Sequence, residues 1–321
     1  MKTNTLLVSS LLTLAMARYA AAQGGSLTPP AGPPGPVMKT LDQIEARTPL
    51  VEGAPGVSID SGTGTITVTL PGSYYLTGNL TITGLNDHGI AIGATDHVTL
   101  DLNGFTIRNS NAFAPGNSNA GVFIFGVPGQ TVAIHNGHIT GPGFARGVLL
   151  NSSTSSDAGS VEIDRVHVSG MDVAFMLGQG GGRSIVSNCT VSNMRLFGIT
   201  ADVVRNCTVR NAGSTNFPGI QAIIVSDCFV RQDGGFGGAI DGRTVQNSEA
   251  TSQDAVAIKA VNATNCRALS VSGTTALEVS GTASFCNASR TGGVAIQASI
   301  AIGCTVGSGT VTSAQKHLGT P

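Results

Sequence analysis

From residue 88 onward, apolar and polar positions follow one repeated pattern. Each repeat opens with glycine or another small residue and continues with alternating apolar residues, as in the segment 121–124 (GVFI). A second stretch then leads to Asn or Asp, a small residue, a polar residue and Val or Ile, as in 206–209 (NCTV). Alternation with period two is typical of β-strands. The first phrase recurs at 89–92, 121–124, 147–150, 173–176, 198–199, 219–220, 238–240, 256–258, 276–279 and 293–296.

The cysteines set the length of the repeat. They stand at positions 189, 207, 228, 266, 286 and 304, so successive gaps are 18, 21, 38, 20 and 18 residues, and Ser248 occupies the slot missing from the long gap. A repeat of about 20 residues cannot bury its apolar face alone, whereas stacked repeats bury it continuously. We therefore predict an all-β fold, a single right-handed parallel β-helix of about ten coils with a short N-terminal capping helix. Residues 109–120 and 151–160 are predicted to form protruding loops.

The N-terminus has the features of an export signal. Lys2 gives a positive start, residues 6–16 are largely apolar, and the alanines at 20–22 offer a small-residue cleavage site. We assign residues 1–22 to a signal peptide and expect a secreted or cell-surface product. The apolar run is too short to span a membrane, and no later segment is long enough.

The next segments form the entry to the repeat. The Pro- and Gly-rich residues 23–37 predict an extended linker. Apolar residues Met38, Leu41 and Ile44 have helical spacing, so a short helix is predicted within an N-terminal cap of residues 38–59. The β-helix is assigned to residues 60–312 and a C-terminal tail to residues 313–321.

Composition supports one β-rich domain and argues against a nucleic-acid partner. The chain has 44 glycines, no tryptophan and 11% charged residues, which suits turns and strands rather than disorder. The formal net charge is −1 and no basic patch stands out, so a nucleic-acid partner is not expected. We expect a monomer.

Two states are open for the cysteines. Six cysteines in an exported protein suggest disulfides. Cysteines stacked on adjacent coils would lie about 4.8 Å apart, farther than the usual Cβ separation of about 3.8 Å in a disulfide. We favour a buried column of free thiols, and the stack lacks the spacing of a metal site.

The repeat resembles the right-handed β-helix superfamily of pectate lyases and polygalacturonases. The Asn before each small residue is similar to the asparagine ladder of that superfamily, in which stacked amides hydrogen-bond along the axis. The segments 38–45 (MKTLDQIE), 71–80 (PGSYYLTGNL) and 98–105 (VTLDLNGF) also resemble a group of uncharacterised secreted β-helix proteins of bacteria. The resemblance implies the fold and a bacterial source, but one fold carries many functions.

One segment resembles a polygalacturonase site. Residues 253–259 (QDAVAIK) are similar to the family segment built around two adjacent aspartates, although Ala255 stands in place of the second. The resemblance implies that Asp254 is the general acid and that Asp233, one coil earlier, helps to activate water. Together with Lys259 they form the candidate catalytic set. Inverting hydrolysis needs two carboxyl groups about 6.5–9.5 Å apart.

A lyase resemblance implies Ca²⁺ held by carboxylates and an arginine base. Asp164, Asp172 and Asp202 come from successive coils with several arginines nearby. Arg210 and Arg231 share a slot three residues after a cysteine, so we expect them to stack on one face and to bind an anionic glycan. The phenylalanines that precede the glycine phrase form either a buried ladder, which we favour, or a platform for sugar rings: Phe144, Phe197, Phe217 and Phe236.

The sequence thus predicts an exported β-helix protein that binds a polysaccharide or cell-surface glycan or serves as a surface or matrix component, without a cofactor. The alternative is a polysaccharide-degrading enzyme, similar to pectate lyases or polygalacturonases, with a divergent site and with Ca²⁺ in the lyase form. A groove with convergent carboxylates would favour the enzyme. A smooth face of Thr, Ser and Asn would favour the structural role.

Overall fold

The computed structural model describes residues 47–112, 116–151, 159–178, 183–212, 217–234 and 237–316, which lie in one unit that starts at Arg47. The predicted signal, the linker and the predicted helix before Arg47 lie outside these ranges, as do parts of both predicted loops. Within the ranges, no helix is long and apolar enough to cross a membrane.

The described residues form 26 strands. Their bounds are β1 Thr48–Pro49, β2 Val57–Ile59, β3 Ile66–Val68, β4 Gly72–Tyr75, β5 Leu80–Ile82, β6 Ile90–Ile92, β7 His97–Asp101, β8 Thr106–Asn109, β9 Ala120–Ile124, β10 Thr131–Thr140, β11 Arg146–Leu150, β12 Ser160–Ser169, β13 Val173–Met176, β14 Ser184–Ser187, β15 Thr190–Met194, β16 Ile199–Arg205, β17 Thr208–Ala212, β18 Ile220–Ser226, β19 Phe229–Gln232, β20 Ile240–Gln246, β21 Glu249–Ser252, β22 Ile258–Thr264, β23 Arg267–Ser270, β24 Thr275–Ser284, β25 Asn287–Ile302 and β26 Thr305–Lys316.

Each coil adds a rung to three parallel sheets, which we call faces 1, 2 and 3. Face 1 carries the glycine phrase and runs through β3, β6, β9, β11 and β13. Face 2 runs through β1, β4, β7 and the first half of β10, and face 3 through β5, β8 and the second half of β10. From β16 onward, one strand bends from face 1 into face 2 in each coil. Among the described pairings, only β2 and β3 are antiparallel. The predicted fold class, an all-β single parallel β-helix, is confirmed.

The inward side chains become smaller along the axis. On face 1 they stay large, from Ile90 to Ile296. Faces 2 and 3 change from Ile or Leu through Val to Ala, and all these side chains are buried. The face 2 column is Leu100, Ile134, Ile163, Val186, Val204, Val225, Val245, Ala263, Ala283 and Ala301. The face 3 column is Ile107, Ile139, Val168, Val191, Val209, Val230, Ala250, Ala268 and Ala288.

The glycines of the first phrase stand where coils approach most closely. A Cβ on Gly121 would lie 2.3 Å from Cγ2 of Ile139 and 2.9 Å from the carbonyl oxygen of Gly147. Steric exclusion therefore explains the small residue at this position.

A row of left-handed residues, here called the turn row, joins face 2 to face 3. Asn is enriched there because it tolerates positive φ better than other residues with side chains. The Asn206 amide donates to Oδ1 of Asn188 at 2.5 Å, and Asn265 donates to Oδ1 of Asn247 at 3.0 Å. With φ between 47° and 59°, the row comprises Asn103, Asn136, Arg165, Asn188, Asn206, Asp227, Asn247, Asn265, Phe285 and Gly303.

The cysteines follow the turn row and point into the core. All six are free and buried, so the predicted column of buried thiols is confirmed. The Cys207 thiol lies 3.2 Å from the carbonyl oxygen of Arg205 and 3.7 Å from that of Val186 in the preceding coil. Ser248 takes the vacant slot and donates to the carbonyl oxygen of Gln246 at 2.7 Å. The slot thus selects a small side chain with a hydrogen to donate.

Candidate functional site

Arg210 and Arg231 lie side by side on the outside of face 3. β17 pairs with β19 so that the two arginines are register partners, and both are exposed. The inward neighbours Val209 and Val230 are fully buried, so alternation along each strand turns the arginines outward. The Arg210 guanidinium lies over the Phe229 ring at 5.3 Å from its centroid. This contact holds one of the two cations against the sheet.

Two histidines continue the outward side of face 3 toward the N-terminal coils. His138 and His167 are register partners in β10 and β12, and their ring centroids are 5.7 Å apart. Burial lowers the pKa of His167, and the nearby His138 lowers it further. The two rings therefore share a polar surface on which one of them resists protonation.

His138 borders two shallow depressions. One, of about 450 Å³, is lined also by Thr106, Arg108 and Thr140, and the other, of about 310 Å³, by Arg165 and His167. From β8 to β19 the outward positions of face 3 hold arginines, imidazoles, hydroxyls and one phenyl ring, with no carboxylate. They are Thr106, Arg108, His138, Thr140, His167, Ser169, Thr190, Ser192, Thr208, Arg210, Phe229 and Arg231.

The two aspartates of the predicted catalytic set have different partners. Asp233 follows β19, is exposed, and accepts a hydrogen bond from Nε of Arg231 at 2.7 Å. Asp254 is exposed and accepts from Oγ of Ser272, one coil later, at 2.7 Å. Each carboxylate is thus oriented by its own neighbour, and Asp233 neutralises part of the charge of Arg231.

Lys259, the third member of that set, lies elsewhere, on the outside of face 1. There it is the register partner of Asp241 in β20 and of Glu278 in β24. The three side chains line a groove of about 440 Å³ together with Gln297, and small residues such as Gly242 and Ala260 border it. The groove therefore presents an ammonium group with one carboxylate on each side. Neither Asp233 nor Asp254 lines this groove.

The aspartates considered for calcium are dispersed. Asp164 accepts hydrogen bonds from Ser187 and Asn188, Asp172 accepts from Nε of Arg195 at 2.6 Å, and buried Asp202 accepts from Oγ of Ser184 at 2.7 Å. Within the described ranges, no group of three or more His, Cys, Asp or Glu side chains is placed to hold a metal ion.

The phenylalanines do not form one uniform ladder. Phe144 is buried, Phe197 is half-buried, and Phe217 is exposed, while Phe236 lies outside the described ranges. The Phe197 and Phe217 rings pack at a centroid distance of 4.3 Å. The favoured prediction of burial therefore holds for Phe144, whereas Phe197 and Phe217, two and three coils later, are progressively more exposed.

Sequence reasoning missed the histidine pair and the groove carboxylates, although the repeat carried a signal for both. His138 and His167 each stand two residues after a member of the turn row, Asn136 and Arg165. In four successive coils, one groove residue directly follows the large inward side chain of face 1. Aligning the coils on that side chain would therefore have grouped Asp241, Lys259, Glu278 and Gln297.

Comparison with known proteins adds little. No protein-family model and no curated protein matches the chain. Among solved structures, the A-module of the mannuronan C-5 epimerase AlgE6 from Azotobacter vinelandii aligns over 81% of this chain and 86% of its own, with 11% identity and a TM-score of 0.28. The fold assignment rests on the strand pairing described above.

Proposed function

We propose that this chain is an exported protein that binds an anionic polysaccharide along face 3. The observation that carries the proposal is the alignment of Arg108, His138, His167, Arg210 and Arg231 on the outside of one sheet, without an intervening carboxylate. Successive rungs repeat about every 4.8 Å along the axis, so the outward groups of face 3 form a regular array. A polysaccharide likewise presents its groups at regular intervals.

The chemistry of this surface suits uronate residues. Arginine pairs its planar guanidinium with carboxylates, and the serine and threonine hydroxyls among the cations can bond to sugar hydroxyls. The depressions are open and shallow, as expected for a ligand that lies along a face rather than inside a pocket. Export is supported by the signal-like N-terminal sequence, and a place at the cell surface belongs to the same proposal.

Affinity electrophoresis in gels containing polygalacturonate, alginate, xylan or dextran tests the proposal. We expect retardation by the two acidic polymers, which added salt reduces, and none by the neutral ones. The double variant Arg210→Gln/Arg231→Gln should weaken binding about three- to tenfold. Arg243→Gln removes an exposed arginine in β20, away from face 3, and is the matched control. Equal retardation of both variants and the wild type would refute the face 3 assignment.

The groove on face 1 favours a second function, polysaccharide cleavage. Asp241 and Glu278 are two rungs apart, or about 10 Å between backbones. Their carboxyl groups can thus approach the separation of about 6.5–9.5 Å used in inverting hydrolysis. In that reaction one carboxyl group carries the proton as the general acid, and Lys259 would pair with the other, the charged general base. If the cleavage is a lyase reaction rather than hydrolysis, Ca²⁺ is the cofactor that we expect.

A product assay decides between binding and cleavage. Mature protein is incubated with the same polymers, with and without Ca²⁺, and both reducing ends and unsaturated products are recorded. Reducing ends that disappear in Asp241→Asn and Glu278→Gln, but persist in Asp254→Asn, would support the groove as a hydrolytic site. No product from any polymer would reject cleavage of these substrates and leave binding as the function.

A further inference from the structure

Phe285 differs in its chemistry from the other residues of the turn row, because its side chain is large and apolar. Phe285 adopts φ 53°, and 66% of its surface is exposed, the highest exposure among the large apolar residues of the described ranges. The left-handed region costs roughly 1–2 kcal/mol for a residue with a bulky side chain. An exposed ring recovers little of that cost by burial. Strain of this kind is retained where it serves a purpose other than stability.

The next coil makes room for the ring. Gly303 is the turn-row residue after Phe285, and a Cβ there would lie 2.8 Å from Cδ1 and Cε1 of the ring. The ring therefore lies against the Gly303 backbone, which supports it from one side. A side chain at position 303 would displace it.

The preceding coil supplies polar groups next to the ring. Asn265 donates its amide hydrogen to Asn247, which in turn donates to Oδ1 of Asp227 at 3.2 Å. Phe285 has no polar atom in its side chain, so this amide chain ends at Asn265. An aromatic face and an exposed amide thus lie at adjacent positions of the turn row.

We propose that Phe285 is a stacking platform for one pyranose ring of a bound polysaccharide, and that Asn265 contacts the hydroxyls of that sugar. The C–H face of a pyranose is apolar and fits an aromatic face, while its hydroxyls need polar partners at the rim. For its ligand class this inference rests on the proposed function. It places a second contact at the border of face 3, beyond the cationic stretch.

The chain lacks tryptophan, so the fluorescence of one introduced tryptophan reports on that position alone. Phe285→Trp keeps an aromatic platform and introduces the only tryptophan, whose emission can be excited apart from that of the tyrosines. Phe285→Asn removes the ring but restores the residue type that the turn row favours. Ile224→Asn removes another exposed apolar side chain, in β18 away from face 3, and is the matched control. Binding of polygalacturonate, alginate, xylan and dextran is measured by affinity electrophoresis, and thermal unfolding is recorded for each variant.

We expect Phe285→Asn to bind about tenfold more weakly while its melting temperature rises, because the strained ring is replaced by a tolerated residue. Phe285→Trp should retain binding and change its emission on addition of the polymer, and Ile224→Asn should bind as the wild type does. The stacking role of Phe285 would be wrong if a polymer bound the wild type and Phe285→Asn equally. It would also be wrong if the melting temperature of Phe285→Asn fell while binding stayed intact. Neither result would contradict the proposed function. No binding of any polymer by the wild type would overturn both.

Discussion

At the scale of single residues, the fold depends on positions that accept only small side chains. Gly121 has Cγ2 of Ile139, in its own coil, and the carbonyl oxygen of Gly147, in the next coil, within 3 Å of the place a Cβ would take. The turn row imposes the opposite kind of selection, since it accepts side chains but requires a left-handed backbone. Close approach and backbone conformation therefore explain most of the Gly and Asn in the repeat.

Gly121→Ala should destabilise the protein by about 1–3 kcal/mol, because the added methyl group overlaps Ile139 and the Gly147 carbonyl group. Gly78→Ala is the matched control, since no atom lies within 4 Å of its added Cβ and its φ is not left-handed. The control should be neutral or slightly stabilising. Urea unfolding of both variants measures the difference, and equal stabilities would reject the close-approach explanation.

The thiol column predicts how stability changes at alkaline pH. A hydrogen bond with Cys189, together with burial, raises the pKa of Cys207 from 9.0 to about 12. The pKa of Cys228 is raised as well, chiefly by its hydrogen bond with Cys207. A thiol that keeps its proton when folded but loses it when unfolded favours unfolding as pH rises between the two values.

We therefore expect the free energy of unfolding to fall by about 1.4 kcal/mol per pH unit for each such thiol, from about pH 9 toward 12. Urea unfolding at successive pH values measures this slope. Cys207→Ser should have a shallower slope, since Ser248 shows that serine fits the column. A variant that loses stability as steeply as the wild type would show that this thiol does not titrate on unfolding.

At the scale of elements, alternation along each strand separates core from surface and brings outward residues of distant repeats together. The repeat predicted the face 1 strands, the buried cysteines and the pairing of Arg210 with Arg231, because all three follow from the period alone. The repeat did not predict that Lys259 lies apart from Asp233 and Asp254. That separation depends on where each coil bends between faces, and the coil lengths vary too much for sequence spacing to show it.

The histidine pair on face 3 predicts pH-dependent binding. As pH falls, protonation of His167 adds positive charge to face 3, so affinity for polygalacturonate should rise. Burial and His138 lower the pKa of His167, so this gain should come only below its ordinary value of 6.5. Affinity electrophoresis between about pH 5 and 8 tests this expectation. His138→Gln/His167→Gln should remove the pH dependence, and an unchanged profile in that variant would exclude the pair.

At the scale of the whole molecule, the change from Ile to Ala on faces 2 and 3 gives the coils unequal stability. Each coil contacts only its neighbours, so stability is close to a sum of local terms. A buried Ile or Val contributes more than a buried Ala because it removes more apolar surface from water. The coils from β21 onward should therefore open more readily than those between β7 and β15.

Hydrogen exchange followed by mass spectrometry measures this gradient. We expect backbone amides of β23 to β25 to exchange faster than those of β10 and β12 under native conditions. Ala268→Val would test whether the narrow C-terminal core admits a larger side chain. Uniform protection along the coils would mean that the smaller side chains pack well enough to compensate.

The central claim, that face 3 binds an anionic polysaccharide, is tested most directly by arginine footprinting. Phenylglyoxal modification is followed by mass spectrometry with and without polygalacturonate. We expect that modification of Arg210 and Arg231 slows several-fold in the presence of the polymer while Arg243 reacts at an unchanged rate. Equal rates at all three arginines with the polymer present, or protection of Arg243 alone, would contradict it.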